Sequence, residues 1–330
     1  MEKSRLKIHS KKGIFLTFIA ISVIAAFVII FTLPDINLGK DISVIKTRVL
    51  KVNEHVVDLE NVYLERTLKS SSIKAMASLT KYMESQNKFL VNFEDSFKEV
   101  LLDGKINSIP IDDFIEPNIM TGNTYKDWIN KTILAADDIF NVKSSITVNN
   151  IKINQSRPWF VTVTADISLL VVSETAFWDK NILVVSEVSI ENFEDPYYTL
   201  NTAGSYKNKI NKSSVQLTGW SLNNVSNHIK YGTYIHYDNT KAPNFLMRFT
   251  NTSSSSSCCG IESLVNPNKL PNNNLMESYA DYLYFNHSLQ DKCTQLYNVT
   301  SLYPEFRHLQ LDFEHLALYN LTSYSFIEAC

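Results

Sequence analysis

The spacing of apolar residues changes period along the chain. An unbroken apolar run comes first, Ile14 to Leu33. About twenty uncharged residues at 1.5 Å rise match the roughly 30 Å hydrocarbon layer, so this run predicts a transmembrane helix. A three-four alternation follows at Ile42, Ile45, Val49, Val52, Val56, Leu59 and Tyr63 and runs on through Ile73, Ala77 and Leu79 to Tyr82, which predicts a long stalk helix. A second row at Leu50, Val57, Leu64 and Leu68 widens the stripe, so the helix can lie on its own sheet; a homotypic coiled coil is the alternative.

Two more helices are expected, one over Asn92 to Leu102 ended by Gly104, the other over Tyr125 to Phe140 with Trp128, Ile129, Ile133 and Ile139 on one side. The period then falls to two. Odd positions from Trp159 to Val171 are apolar, and Ile182, Val184, Val188 and Ile190 repeat the pattern on even positions, predicting one-sided strands. Shorter strand candidates are Ile146 to Ile153, Ile229 to Tyr237, Phe245 to Phe249 and Tyr279 to Phe285. Polar stretches at Tyr206 to Ser226, Thr252 to Ser257 and Asn266 to Asn274 read as loops. The expected fold is α+β: an N-terminal transmembrane helix and a long stalk helix packed with an antiparallel sheet ectodomain. Its parts are a basic tail (1–13), the transmembrane helix (14–33), the stalk (34–91) and an extracytoplasmic domain (92–330).

Charge sets the orientation. Lys3, Arg5, Lys7, Lys11 and Lys12 against Glu2 precede the apolar run, and the positive-inside rule keeps that end in the cytoplasm. A single-pass protein of the cell membrane with its C-terminal domain outside is the expectation. The whole chain, 45% hydrophobic and 20% charged with a formal charge of -3, carries no electrostatic footprint for nucleic acid. Only eight residues are glycine, little material for phosphate-cradling loops.

Lys11-Lys12-Gly13 followed by Ile14-Phe15-Leu16-Thr17 resembles the class III signal of prepilins and archaeal type IV pilin-like proteins. The resemblance implies cleavage between Gly13 and Ile14, a stem that packs against other pilin-like or surface proteins, and a bend at Pro34. It departs at Phe18, where bacterial pilins carry a glutamate, which implies a minor or non-polymerising subunit. The stem followed by "GIESLV" at Gly260 to Val265 also looks like uncharacterised archaeal membrane-anchored surface proteins.

The four cysteines, Cys258, Cys259, Cys293 and Cys330, read as disulfides in an oxidising compartment. Adjacent cysteines are poorly placed to pair, which leaves Cys258 and Cys259 each tied to Cys293 or Cys330; a four-cysteine zinc site is the sharper alternative. The Cys258-Cys259-Gly260 triplet resembles the large outer loop of tetraspanins in its disulfide logic. Glycosylation sequons start at Asn130, Asn154, Asn211, Asn224, Asn251, Asn286, Asn298 and Asn320. No hydrolase, metalloprotease, P-loop or dinucleotide motif occurs. His228, His236, His308 and His315 lack the spacing of a metal-binding helix face, and the pairs Asp112-Asp113, Asp137-Asp138 and Glu194-Asp195 read as caps or solvated faces. Tyr279, Tyr282 and Tyr284 form either core or a binding surface. These features point to a non-enzymatic surface protein of structural or interaction type, without cofactor or metal, glycosylated and disulfide-clamped, with homo-oligomerisation left open. A ligand-binding receptor ectodomain and a surface hydrolase are the competing readings.

Overall fold

The computed structural model describes residues 19–25, 38–215, 217–270, 277–286, 296–324 and 327–328. The chain forms two units, Met1–His55 and Val56–Cys330. In the first, residues 19–25 are helical and α1 (Leu38–Asp58) begins. Among the described residues no helix is long and apolar enough to cross a membrane. This corrects the expected transmembrane helix, and with it the signal anchor and the single-pass membrane localisation. Residues 1–18 and 26–37, including the expected processing site at Gly13 and Ile14, lie outside the described residues.

The expected stalk is corrected as well. A π-helical turn at Leu59–Tyr63 interrupts the helix, and α2 (Leu64–Gln86) then enters the second unit as its central helix. Its buried positions are Leu64, Leu68, Ala75, Met76, Leu79 and Met83 together with Ser71, Ser72, Ser78 and Thr80. Those small side chains let neighbouring elements approach closely, and a helix covered in this way is core. It ends at Asn87, whose left-handed backbone (φ 47°) closes the last turn.

Two capped helices pack beside it. In α3 (Phe93–Asp103) the Asn92 side chain accepts from Asp95 N and Gly104 ends the last turn. In α4 (Tyr125–Phe140) Thr124 and Asp127 form a reciprocal capping box. A short hairpin, Lys105–Ile106 with Ile109–Pro110, joins them. The main sheet is an antiparallel meander, β1 (Lys143–Arg157), β2 (Phe160–Val172) and β3 (Phe177–Ser189), with Ala165 opposite both Ile151 and Val184. Strict alternation sends Val161, Val163, Ala165, Ile167, Leu169 and Val171 of β2 inward, all fully buried. Ile182, Val184 and Val188 do the same on β3, and α2 covers the strands.

After β3 the chain changes style, into short helical turns and extended segments that include α5 (Leu222–Tyr231), β4 (Leu296–Asn298), β5 (Gln310–Asp312) and β6 (Ile327–Glu328). Three segments that alternate like strands are partly or wholly helical. Asn244 caps Phe245–Arg248 by accepting from Met247 N, Ser221 caps α5 by accepting from Asn224 N, and Asp281–Tyr284 makes one turn. Local capping overrides β-type residues when only four to ten residues are involved.

Candidate ligand cleft and its buried ionic base

The second half of this unit is held by a ribbon of extended fragments too short to stand as regular strands. Residues 192–193 bond to Ile210 (Asn192 N to Ile210 O 2.8 Å, Ile210 N to Phe193 O 2.9 Å). Tyr234 N then donates to Asn211 O at 2.7 Å, and Ile235 and Glu262 exchange bonds at 2.9 and 3.0 Å. Asp281 N donates to Ser263 O at 2.9 Å and Tyr279 N to Gln310 O at 2.9 Å, where β5 continues the pairing through β4 to β6. One to three bonds per junction give little cooperativity.

Side chains supply the missing order. Arg248 is fully buried and its Nη1 donates to Asp195 Oδ2 at 2.6 Å and to Asp281 Oδ2 at 2.7 Å, while Nη2 donates to the Ile261 carbonyl. Tyr234 gives its hydroxyl to the same Asp195 oxygen at 2.7 Å, and the guanidinium faces the Tyr197 ring at 4.9 Å. Burial, only partly offset by Arg248, pushes Asp281 up to about 6. A second group lies around Glu262, also fully buried, which receives Tyr237 at 3.3 Å and Tyr319 at 3.4 Å and stands 3.5 Å from His315 Nε2. Burial opposes a charge on His315, yet Glu262 and the 2.6 Å bond to Asp312 outweigh it and push the imidazole up to about 10. Asp312 is held well below the usual carboxylate range: burial works against its charge, but His315 and Ser278 prevail. Asp195, Tyr234, Glu262, Asp281 and Asp312 come from successive fragments of the ribbon, so buried charge fastens what backbone pairing leaves loose.

Tyr234, which bonds Asp195 in this ionic group, also borders a cleft of about 830 Å³, within the range of small-molecule sites. The cleft is lined by Tyr234, Ile235 and His236 of the ribbon and by Trp159, Glu191, Lys212, Ser213, Ser214, Val215 and Thr218. Trp159 stands at the β1–β2 turn, with its carbonyl accepting from Ile190 N at 3.1 Å and Lys212 Nζ 5.7 Å from its ring centre. His236 Nδ1 is 2.7 Å from the Gly260 carbonyl, so it carries a proton and, in the neutral ring, leaves Nε2 as an acceptor. Glu191 also borders a smaller cavity of about 330 Å³ over Ile73, Ala77 and Phe193.

The residues singled out in the sequence are scattered. Cys258 and Cys259 are joined to each other, which corrects the expected clamp from this pair to Cys293 or Cys330. Neighbouring Cα atoms, here 3.8 Å apart, fall short of the usual disulfide spacing, but the two side chains close a small ring on their own. Cys293 and Cys330 lie outside the described residues, among which no group of histidine, cysteine and carboxylate could hold a metal ion. The sequon residues Asn130, Asn154, Asn211, Asn251 and Asn320 are exposed, while Asn224, Asn286 and Asn298 are half-buried. Of the histidines, His228 is buried, its Nδ1 2.6 Å from Thr233 Oγ1, and burial pushes it down to about 3. Asp112 and Asp137 receive backbone N–H groups, and Asp195 caps the turn Pro196–Asn201. Tyr279, Tyr282 and Tyr284 are core.

Sequence reading missed Arg248 and the cleft. The pattern gave Trp159 as an inward strand residue, whereas it precedes β2 and lines the opening. An arginine at the end of an apolar run, Phe245 to Phe249, was the available signal for a buried cation, since such a charge needs partners. No family model, curated protein or solved structure matches the chain.

Proposed function

We propose that the chain is a non-enzymatic binding module and that the Trp159 cleft takes a saccharide. The observation that carries this reading is the composition of one cleft: an indole together with hydroxyl, carboxylate, ammonium and imidazole groups from Ser213, Ser214, Thr218, Glu191, Lys212 and His236, the Lys212 ammonium lying 5.7 Å from the indole ring centre. A sugar ring has the complementary two-sided chemistry, with C–H faces for the indole and a rim of hydroxyls for the polar groups. The buried ionic base beneath Tyr234 supports a preformed site, which lowers the ordering cost of binding.

The test uses the full chain with N-acetylglucosamine and maltose as probes, read by saturation-transfer NMR. At least one sugar is expected to receive saturation from the protein, and Trp159→Ala should weaken that binding about tenfold, or about 1.4 kcal/mol. Absence of transfer to both sugars, or equal binding by the variant, contradicts the reading.

A further inference from the structure

We propose that the Cys258–Cys259 disulfide is a redox-active site, reducible by a small dithiol in the folded protein, and that its state sets the position of His236 in the cleft. The proposal stands apart from the identity of the cleft's ligand.

Access comes first. Cys258 is exposed and follows the serine run, whereas Cys259 is 1% exposed. The disulfide therefore joins a surface residue to a core residue, and exposed disulfides are the labile ones. Both sulfurs sit against one carbonyl oxygen, that of Gln155, at 3.4 and 3.5 Å. A disulfide sulfur has no hydrogen to give, but a thiol has. The same positions after reduction bring S–H donors to an acceptor already in place.

Transmission comes next. Cys259 N donates to Ser256 Oγ at 3.2 Å, and Gly260 is threaded so tightly that a Cβ there would collide with the Ala242 carbonyl oxygen and Thr240 Cγ2. From this fixed glycine the carbonyl takes His236 Nδ1. The covalent ring, the glycine and the imidazole thus form a chain of direct contacts ending at a residue that lines the cleft. Opening the ring frees the Cys258-Cys259 peptide to relax, and His236 is hydrogen-bonded to the carbonyl of the next residue, Gly260.

The chemistry balances with a dithiol as reductant. One of its thiolates attacks Cys258 Sγ, the bond to Cys259 Sγ breaks, and Cys259 leaves as a thiolate that takes up a proton. The second sulfur of the reductant then displaces Cys258, closing the reductant's own disulfide and releasing the other protein thiol. Two electrons and two protons pass to the protein.

The full chain is first blocked with iodoacetamide, treated with dithiothreitol without denaturant while its circular dichroism is recorded, freed of the dithiol, then unfolded in N-ethylmaleimide and mapped by mass spectrometry. Before reduction the peptide carrying Cys258 and Cys259 is expected unlabelled, 2 Da lighter than its dithiol form and linked to no other peptide; afterwards it should carry two maleimides while the circular dichroism is unchanged. The His236 imidazole resonance, assigned with His236→Asn, should move on reduction, and Cys258→Ser/Cys259→Ser should hold it at the reduced position. A crosslink from either cysteine to the peptides of Cys293 or Cys330, resistance to dithiothreitol until the protein unfolds, or a His236 resonance unmoved by reduction would each overturn the proposal.

Discussion

His315 is the residue whose charge the fold determines most visibly. Its imidazole is 3% exposed between Asp312 and Glu262, and its pKa rises from 6.5 in the unfolded chain to about 10. A raised value means that the folded state binds the proton more tightly. The stabilisation is therefore complete below pH 6.5 and is lost as pH climbs through 10. Asp312, held low, stays charged across that window and adds nothing to the slope; its own contribution disappears only on acidification below about 4. His228 acts on the acid side: kept neutral by burial down to about 3, it favours the unfolded chain as pH falls below 6.5. Urea unfolding between pH 7 and 9.5 should show stability falling with pH at a slope of up to about 1.4 kcal/mol per unit. His315→Gln should flatten that slope, and an unchanged slope would remove the charge from this imidazole.

Elements with strong periodicity were legible in the sequence, and those without it were not. The boundaries of α3 follow from Asn92 and Gly104, α4 from its apolar spacing over Tyr125 to Phe140, and the meander from the alternation on β2 and β3. Even there the apolar side of α4 is narrower than the spacing predicts, since Ile129 and Ala136 are buried but Ile139 is 72% exposed. Beyond Ser189 the fragments are joined by one to three hydrogen bonds, and nothing in local spacing announces which fragment neighbours which. Arg248 does that work across the fold, since Asp195 and Asp281 lie far from it in sequence. Removing one member of a buried ion group leaves unpaired charge in the core, which costs about 3–5 kcal/mol. Arg248→Met should therefore destabilise by about that much in denaturant unfolding. Asp281→Asn should cost less, because it leaves the Arg248–Asp195 pair balanced and removes the carboxylate that burial already disfavours. A loss below about 1 kcal/mol for Arg248→Met would contradict an organising role.

At the scale of the whole molecule, a helix-backed antiparallel sheet and a charge-fastened ribbon lie within one unit, and the cleft is assembled from both, with Trp159 from the β1–β2 turn and Tyr234 to His236 from the ribbon. Neither half is a site alone. The cleft was illegible in the sequence because its residues, from 159 to 236, form no motif and meet only through long-range pairing. The most direct test is NMR of the full chain titrated with N-acetylglucosamine or maltose, whichever receives saturation. Intermolecular contacts are expected between the sugar ring protons and the Trp159 indole, with shifts at Ser213 and His236. Contacts to another surface, or a bound sugar with none to Trp159, would contradict the account.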